Sequence, residues 1–178
     1  MTLQYASDLH LELLENAEFV ASGALEIAGD ILLLAGDICH LDQNNDEFER
    51  FLDKISSHYQ EVFIVPGEHE FQSEGNRRLL GHCWRFMLRE NVGVYYNQLI
   101  HLDNLDLMMP DTALDILPQW ISHSTAKHRV VLTHECPNSQ TLTSFQGQID
   151  YWIHGHTHCE PSYCTAFRKH QMPWLSPC

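Results

Sequence analysis

The sequence predicts an α/β fold, and three observations support this prediction. Short, continuous apolar runs such as Ile31–Leu34 are too short for helices and suit strands buried on both faces of a sheet. Stretches with apolar residues at helical spacing lie between these runs. Several runs end directly in Asp, Glu or His residues. Because α/β proteins bind ligands at the carboxyl ends of their strands, these ends form the candidate site.

Length and charge limit the possible architectures and partners. A chain of 178 residues suits one domain with a sizeable core, and we predict a single domain over residues 1–178. The net charge of −14, with 10 Lys plus Arg, argues against a long nucleic acid as partner, because duplex binding needs clustered cations. No apolar run approaches the ~20 residues of a membrane span, so we expect no membrane partner. The oligomeric state is not predicted.

The cysteines and the amino terminus predict the compartment. Six cysteines are present, none of them in a CxxC pair, and no signal peptide precedes the first predicted strand. Free thiols and a cytoplasmic location are therefore expected.

The first two predicted strands each lead into possible metal ligands. A strand over residues 3–7 is followed by Asp8-Leu9-His10. Side chains two positions apart on an extended segment point to the same side, so both polar groups can reach one metal ion. The second strand ends at Gly36-Asp37, where the glycine permits a tight turn that faces the carboxylate into a crevice. Residues 12–29 are expected to wrap the surface.

The next predicted strand also ends in ionisable residues, and predicted helices lie on either side of it. A helix over 47–60 is predicted because its apolar residues recur at helical spacing. A strand over 62–65 ends at Pro66-Gly67-Glu68-His69-Glu70, a breaker pair followed by three ionisable groups. A second helix with a broad apolar face is predicted over 76–90.

The remaining chain alternates strands and helices less regularly. Strands are predicted over 94–96 and 105–109, and a helix over 112–124 that Pro118 bends or splits. A strand over 130–132 then leads to His134.

Towards the carboxyl end the pattern weakens. Residues 138–148 are read as loop or short helix, and a last core strand over 151–153 leads into His154-Gly155-His156-Thr157-His158. The tail after Ser162 has a poor pattern that allows edge strands.

The polar groups at these strand ends share one property, which is that each is a hard or borderline metal ligand. They are Asp8 and His10, Asp37, Glu68 with His69, His134, and His156 with His158. Strand termini at one edge of a sheet bring such side chains to a single crevice. Cys39, His40 and His154 lie near these motifs, and supporting or core roles are expected for them.

In this order the motifs resemble those of the calcineurin-like metallophosphoesterases, in particular small bacterial and phage-type members. The resemblance runs from Gln4 to about Glu160. The matching pieces are Asp8-Leu9-His10, Gly36-Asp37, Gly67-Glu68-His69-Glu70, Thr133-His134 and Gly155-His156-Thr157-His158.

The resemblance implies a four-layer αββα sandwich that holds two divalent metal ions. The second sheet is expected to be reduced, because the region from Leu99 to Ser124 looks short. By position, the first metal would be bound by Asp8, His10 and His158. Asp37 would bridge both ions. The second metal would be bound by Glu68, His134 and His156.

The resemblance also implies the activity, which is hydrolysis of a small phosphodiester or phosphomonoester, with a nucleotide as one option. A hydroxide that bridges the metals would attack phosphorus, and His69 would protonate the leaving group. This is sensible chemistry, because two close divalent ions activate water and a histidine can donate a proton near neutral pH. Mixed His and Asp ligands suit Mn²⁺, the ion we favour, or Fe, Zn, Co or Ni.

Glu68 departs from the family pattern, which has asparagine at this place. An ionised glutamate can ligate a metal but has no N–H donor for the phosphate, and it adds negative charge beside an anionic substrate. Three interpretations stay open: a retained ligand in an active enzyme, an impaired site that still binds metal, and a side chain turned away. The alternative function is accordingly a catalytically impaired, metal-binding interaction domain. Glu135 also departs, since many members carry a second histidine there.

Overall fold

The computed structural model describes residues 1–41, 45–71 and 82–157, and the backbone of two short strands beyond them. The strands are β1 (Leu3–Ala6), β2 (Ile31–Leu34), β3 (Glu61–Ile64), β4 (Trp84–Arg89), β5 (Val92–Tyr96), β6 (Gln98–Leu102), β7 (Leu105–Met109), β8 (His128–Leu132), β9 (Tyr151–Ile153), β10 (Cys164–Ala166) and β11 (Leu175–Pro177). The helices are α1 (Leu14–Phe19), which continues into a π-helical turn over Val20–Ala24, then α2 (Asp46–His58), α3 (Leu117–His123) and α4 (Ser139–Phe145).

The strands form two sheets in which parallel pairs dominate. Among the described residues, the first sheet has six strands in the order β11-β1-β2-β3-β5-β4, and within it only the β4–β5 hairpin is antiparallel. The second sheet has five strands in the order β10-β9-β8-β7-β6, with a parallel centre formed by β7, β8 and β9. The second sheet, which was predicted to be reduced, thus has one described strand fewer than the first. The weak tail pattern supplies β10 and β11, so the edge strands that it allowed are present.

Successive strand residues point to opposite faces of their sheet, so the apolar core consists of three clusters. These clusters lie between four layers, which are helices, two sheets and helices. On one face of the first sheet, Leu32 and Leu34 pack with the apolar side of α2. On the other face, Ile31 and Leu33 pack against residues of the second sheet, such as Leu107. Residues on the outer face of the second sheet pack with α3 and α4. This αββα sandwich confirms the predicted fold class.

The helix α2 forms for the reasons that its sequence suggests. Asn45 caps it, because its side-chain oxygen accepts hydrogen bonds from the N–H groups of Glu47 and Phe48. The predicted apolar stripe is buried; its members are Phe48, Phe51, Leu52, Ile55 and Tyr59. The helix therefore covers the first sheet as expected.

The helix predicted over 76–90 is wrong from His82 onward, because residues 82 and 83 form a bend. Residues 84–89 form β4, which pairs with β5 through a two-residue turn at Glu90 and Asn91. Strand pairing at the edge of the sheet overrides the helical spacing of the apolar residues, and Phe86 is left exposed. Residues 76–81 of that prediction lie outside the described part of the chain.

The helix predicted over 112–124 is shorter than expected. It begins only at Leu117, and Pro118 lies in its first turn, where the missing N–H costs no hydrogen bond. Leu114 precedes it with φ of 60°, which is not helical. Among the described residues, none of the helices is long and apolar enough to cross a membrane.

Candidate metal centre

Loops from both sheets meet where the central parallel strands end. The loops after β1 and β2 are joined because the N–H groups of Asp8 and His10 donate to the carbonyl oxygens of Gly36 and Asp37, each at 3.0 Å. The loops after β8 and β9 are joined by the N–H of Gly155, which donates to the carbonyl oxygen of His134 at 3.0 Å. These bonds hold the strand ends that the sequence marked as the candidate site.

The backbone is strained at several of the predicted ligands. The φ angles are 53° at Asp8, 46° at His10, 54° at Asp37 and 68° at His156. Such positive values are uncommon for residues with a side chain, and they persist where the surrounding structure enforces them. The strain coincides with the residues chosen from sequence as metal ligands, which is typical of functional sites.

Two glycines let the strand ends come close together. A Cβ at Gly67 would lie 2.2 Å from Oδ1 of Asp37, and a Cβ at Gly155 would lie 2.5 Å from Oδ2 of Asp8. Both distances are far below van der Waals contact. These positions require glycine because carboxylates of neighbouring loops occupy the space that a side chain would need.

Asp37 lies at the centre of the site and is 1% exposed. Its Oδ1 accepts a hydrogen bond from the backbone N–H of His69 at 2.9 Å. Its Oδ2 lies 3.4 Å from Nε2 of His134 and 3.9 Å from Nε2 of His10. Burial works against ionisation, but the bonds and charges of His134 and His69 prevail and lower the pKa of Asp37. Asp37 is therefore a carboxylate between two imidazoles.

On one side of Asp37 lies a cluster formed by Glu68, His134 and His156. Nε2 of His134 is 2.7 Å from Oε2 of Glu68, and Nδ1 of His156 is 3.1 Å from Oε1 of Glu68. Donor atoms of all three residues lie within 4.8 Å of one another. Glu68 therefore points into the site, which disfavours the interpretation in which its side chain is turned away.

His134 is oriented by the first sheet. Its Nδ1 lies 2.7 Å from the carbonyl oxygen of Ala35, which can only accept, so Nδ1 carries the hydrogen and Nε2 faces Asp37 and Glu68. Burial lowers the pKa of His134, but the hydrogen bonds to Asp37 and Ala35 and the charges of both carboxylates raise it to about 9.

Around Asp37, predicted residues also fall into two further donor sets, one of which shares His134 with the cluster of Glu68, His134 and His156. Donor atoms of His10, Asp37 and His69 lie within 4.8 Å of one another, and so do those of Asp8, Asp37 and His134. Asp37 is the residue that the two sets share. The predicted ligand His158 lies outside the described residues.

Asp8 also ties the amino-terminal loop to the carboxyl-terminal one. Its carboxylate oxygens accept from the backbone N–H of His156 at 3.1 and 3.2 Å, and Oδ2 accepts from the hydroxyl of Ser7. These bonds orient the Asp8 carboxylate and place His156 on the opposite sheet beside it.

Glu12 was not identified from the sequence, yet it contacts two site histidines. Its Oε1 lies 2.9 Å from Nδ1 of His10 and 3.4 Å from Nδ1 of His69. His69 also packs edge-on against His10, with ring centroids 4.6 Å apart, and its carbonyl oxygen lies 2.6 Å from Nδ1 of His40. The contact between His40 and the carbonyl oxygen of His69 is consistent with the supporting role expected for His40. A carboxylate two residues after His10 was the available sequence signal for Glu12.

Glu70 is a second residue that sequence reasoning left without a role. It is fully buried, and its carboxylate accepts from the backbone N–H groups of Asp37 at 3.0 Å, Ile38 at 2.7 Å and Gly67 at 2.6 Å. Burial raises the pKa of Glu70 to about 7 in spite of these bonds, each of which lowers it. Glu70 fixes the loops after β2 and β3 from beneath the site.

Comparison with known proteins agrees with this geometry. The family model of the calcineurin-like phosphoesterases matches residues 1–160. The chain belongs to the calcineurin-like phosphoesterase family. An uncharacterized protein of Acanthamoeba polyphaga mimivirus is 28% identical over 122 residues, which cover 60% of this chain and 42% of the viral protein. The matching region thus spans less than half of that relative.

The donor atoms of this calcineurin-like phosphoesterase fit divalent metal ions. Carboxylate oxygens and imidazole nitrogens are suitable ligands for first-row divalent metals. Asp37 and His134 are nearly fully buried, and a buried carboxylate and imidazole cluster of this kind is costly without cations or protons to balance it. The chain thus combines membership of a phosphoesterase family with candidate ligand groups for divalent metal ions.

Proposed function

We propose that this chain hydrolyses a small phosphodiester or phosphomonoester with two divalent ions held on either side of Asp37. The observation that carries this proposal is the position of Asp37 Oδ2, which lies 3.9 Å from Nε2 of His10 and 3.4 Å from Nε2 of His134, one proposed ligand of each ion. One ion would be held by Asp8, His10 and His158, and the other by the cluster of Glu68, His134 and His156. When bound, two such ions activate water and neutralise the charge of the phosphate.

His69 is proposed as the general acid. Its side chain is 43% exposed, so it can reach a substrate, while Glu12 lies 3.4 Å from its Nδ1. The Glu12 carboxylate can hold the imidazole in place, and a histidine in this position can donate a proton to the leaving group. The backbone N–H of His69 donates to Asp37, so the acid and the central carboxylate keep a fixed relation.

The finer features of the proposal rest on ligand chemistry and composition. Mn²⁺ is the proposed metal because mixed carboxylate and imidazole ligands suit it, and the same reasoning admits Fe, Zn, Co and Ni. A small substrate agrees with the net charge of −14, which disfavours long nucleic acid. The described cysteines Cys39, Cys83 and Cys136 are free thiols, which supports the proposed cytoplasmic location.

A second candidate function follows from Glu68. Its side chain is half exposed and places a carboxylate where the substrate phosphate would approach the cluster of Glu68, His134 and His156. A metal-binding interaction domain with impaired catalysis would have this feature, because the extra negative charge repels an anionic substrate.

The assay that tests the proposed function uses bis(p-nitrophenyl) phosphate and p-nitrophenyl phosphate with Mn²⁺-supplemented protein. We expect turnover that disappears after EDTA treatment and falls by roughly 10²- to 10⁴-fold in His69→Ala, the range for loss of a general acid. His123→Ala is the matched control, because His123 is an exposed histidine at the end of α3. Two bound metals without turnover would instead favour the interaction domain.

Glu68→Asn is expected to raise the turnover number by roughly tenfold, which corresponds to about 1.4 kcal/mol in the barrier. The substitution removes a negative charge near the substrate and supplies an N–H donor while keeping an oxygen ligand. The measurement is steady-state kinetics with bis(p-nitrophenyl) phosphate at saturating metal.

Glu68→Gln separates the two causes, because it removes the charge but keeps the length of glutamate. An increase in both variants would assign the effect to charge, and an increase in Asn alone would assign it to the position of the amide. Equal or lower turnover in Glu68→Asn would contradict the idea that Glu68 impairs the site.

Metal binding is expected to release about one proton from His134 at pH 7. The pKa of about 9 means that the metal-free site holds this proton below pH 9, so a metal must displace it. Metal affinity should therefore rise about tenfold per pH unit as the pH increases towards 9, beyond the contribution of other ligands. Calorimetric titration in buffers of different ionisation enthalpy counts the protons, and a count of zero would contradict this assignment.

A further inference from the structure

A pocket of about 180 Å³ opens beside the cluster of Glu68, His134 and His156. Glu68 and His134 form part of its wall, and Tyr95 and Trp152, both buried, also line it. We call it the Tyr95 pocket. It is separate from a wider opening of about 510 Å³ that His10, Glu12 and His69 line on the other side of Asp37.

The two openings can receive the two organic groups of a phosphodiester, one in each. His69, the proposed general acid, lines the wider opening, so the leaving group belongs there. A phosphomonoester has no further organic group, whereas a phosphodiester has a second one that must lie elsewhere. The Tyr95 pocket adjoins the proposed metal ligands Glu68 and His134 and can receive that second substituent.

The volume limits the size of the substituent. A cavity of about 150 Å³ accommodates one benzene ring, so a pocket of about 180 Å³ takes a single ring or a short branched chain.

The walls of the Tyr95 pocket also limit the charge of the substituent. Apart from Glu68, which the proposed function assigns to a metal ion, two acidic residues line it, namely Asp111 and Glu135, and its described lining residues include no Lys or Arg. Oδ1 of Asp111 accepts from the backbone N–H groups of Ala113 and Leu114, both at 3.2 Å, which orients this carboxylate. These carboxylates repel an anionic group and attract a cationic one.

We propose that the Tyr95 pocket makes this protein a phosphodiesterase for substrates whose non-leaving substituent is compact and carries no negative charge, with a cationic alkylammonium group preferred. The inference rests on the proposed phosphoesterase activity, and it adds the diester preference and the chemistry of the second ester group.

Three phosphodiesters with the same leaving group test the proposal. They are the p-nitrophenyl diesters of choline, of 3,3-dimethylbutanol and of 4-hydroxybutanoate, whose second substituents are similar in size and carry charges of +1, 0 and −1. We expect kcat/KM to decrease in that order, by roughly tenfold from the first to the last. An anionic substrate that is turned over as well as the cationic one would overturn the proposal.

Asp111→Asn tests the pocket itself. Asparagine keeps the oxygen that accepts from Ala113 and Leu114, so the turn is retained while the charge is lost. The ratio of kcat/KM for the cationic and anionic substrates should fall by roughly threefold. Asp115→Asn is the matched control, because Asp115 is an exposed acid of the same loop that does not line the pocket. An equal change in both variants would assign the discrimination to net charge and overturn the proposal.

Binding separates this proposal from the proposed activity. Calorimetry with Mn²⁺-loaded protein compares choline phosphate, 3,3-dimethylbutyl phosphate and 4-(phosphonooxy)butanoate, which are the products of the three diesters. The same order of affinity, changed by Asp111→Asn but not by Asp115→Asn, would support the pocket even if no substrate is turned over. Equal affinities would overturn it even if the protein is an active phosphoesterase.

Discussion

Asp37→Asn is expected to lower metal-dependent turnover by about 10³-fold or more, and to lower the number of tightly bound metal ions. The Asp37 carboxylate is buried, its pKa is lowered, and its Oδ2 lies near His10 on one side and His134 on the other. The amide keeps the shape of the side chain but removes the negative charge that both ions would share. Its NH₂ group would also turn a donor towards a cation.

The measurements are metal content after dialysis and kcat/KM for bis(p-nitrophenyl) phosphate. Asp106→Asn is the matched control, because Asp106 is equally buried, contacts His101 at 2.6 Å and lies in β7 within the second sheet. The control should keep its metals and its activity. Full metal content with unchanged turnover in Asp37→Asn would contradict the role of Asp37 as the shared ligand.

Glu70→Ala is expected to lower the free energy of unfolding by about 3–5 kcal/mol, because it leaves three buried backbone N–H groups without their acceptor. The loss also frees the backbone at Asp37 and Gly67, so metal-dependent turnover should fall together with stability.

Urea denaturation of the metal-free protein measures this effect without a contribution from bound ions. Glu18→Ala in α1 is the control, since Glu18 is exposed and should change the free energy of unfolding by less than about 0.5 kcal/mol. Glu70→Gln should be intermediate, because it keeps one acceptor oxygen but turns an N–H donor towards other donors. A loss below about 1 kcal/mol in Glu70→Ala would show that water replaces the carboxylate.

The strand ends could be predicted from sequence because burial and chemistry change abruptly there. The run before Gly36-Asp37 is wholly apolar, and the carboxylate directly after it marks the edge of the sheet, where α/β proteins bind ligands. The same argument located His134, which follows β8 and lies beside Asp37 as expected. The four layers followed from family resemblance rather than from periodicity.

The errors have different physical causes. The segment from Trp84 to Arg89 has helical spacing, but pairing with β5 depends on a partner strand that local sequence does not reveal. Glu12 and Glu70 were left without roles because neither follows a buried strand directly. Their importance arises from where the loops fold: one carboxylate contacts two histidines and the other accepts three N–H groups.

The hydrogen bond from His134 to Ala35 crosses from the second sheet to the first, and the bond between His156 and Asp8 does the same. The candidate centre therefore lies between the two sheets. Some of its candidate ligands follow strands of the first sheet, and the others follow strands of the second. A small slip of one sheet over the other would separate the halves without breaking either sheet. The close-packed apolar core between the sheets, to which Phe63 and Leu107 belong, therefore keeps the two halves of the candidate centre aligned.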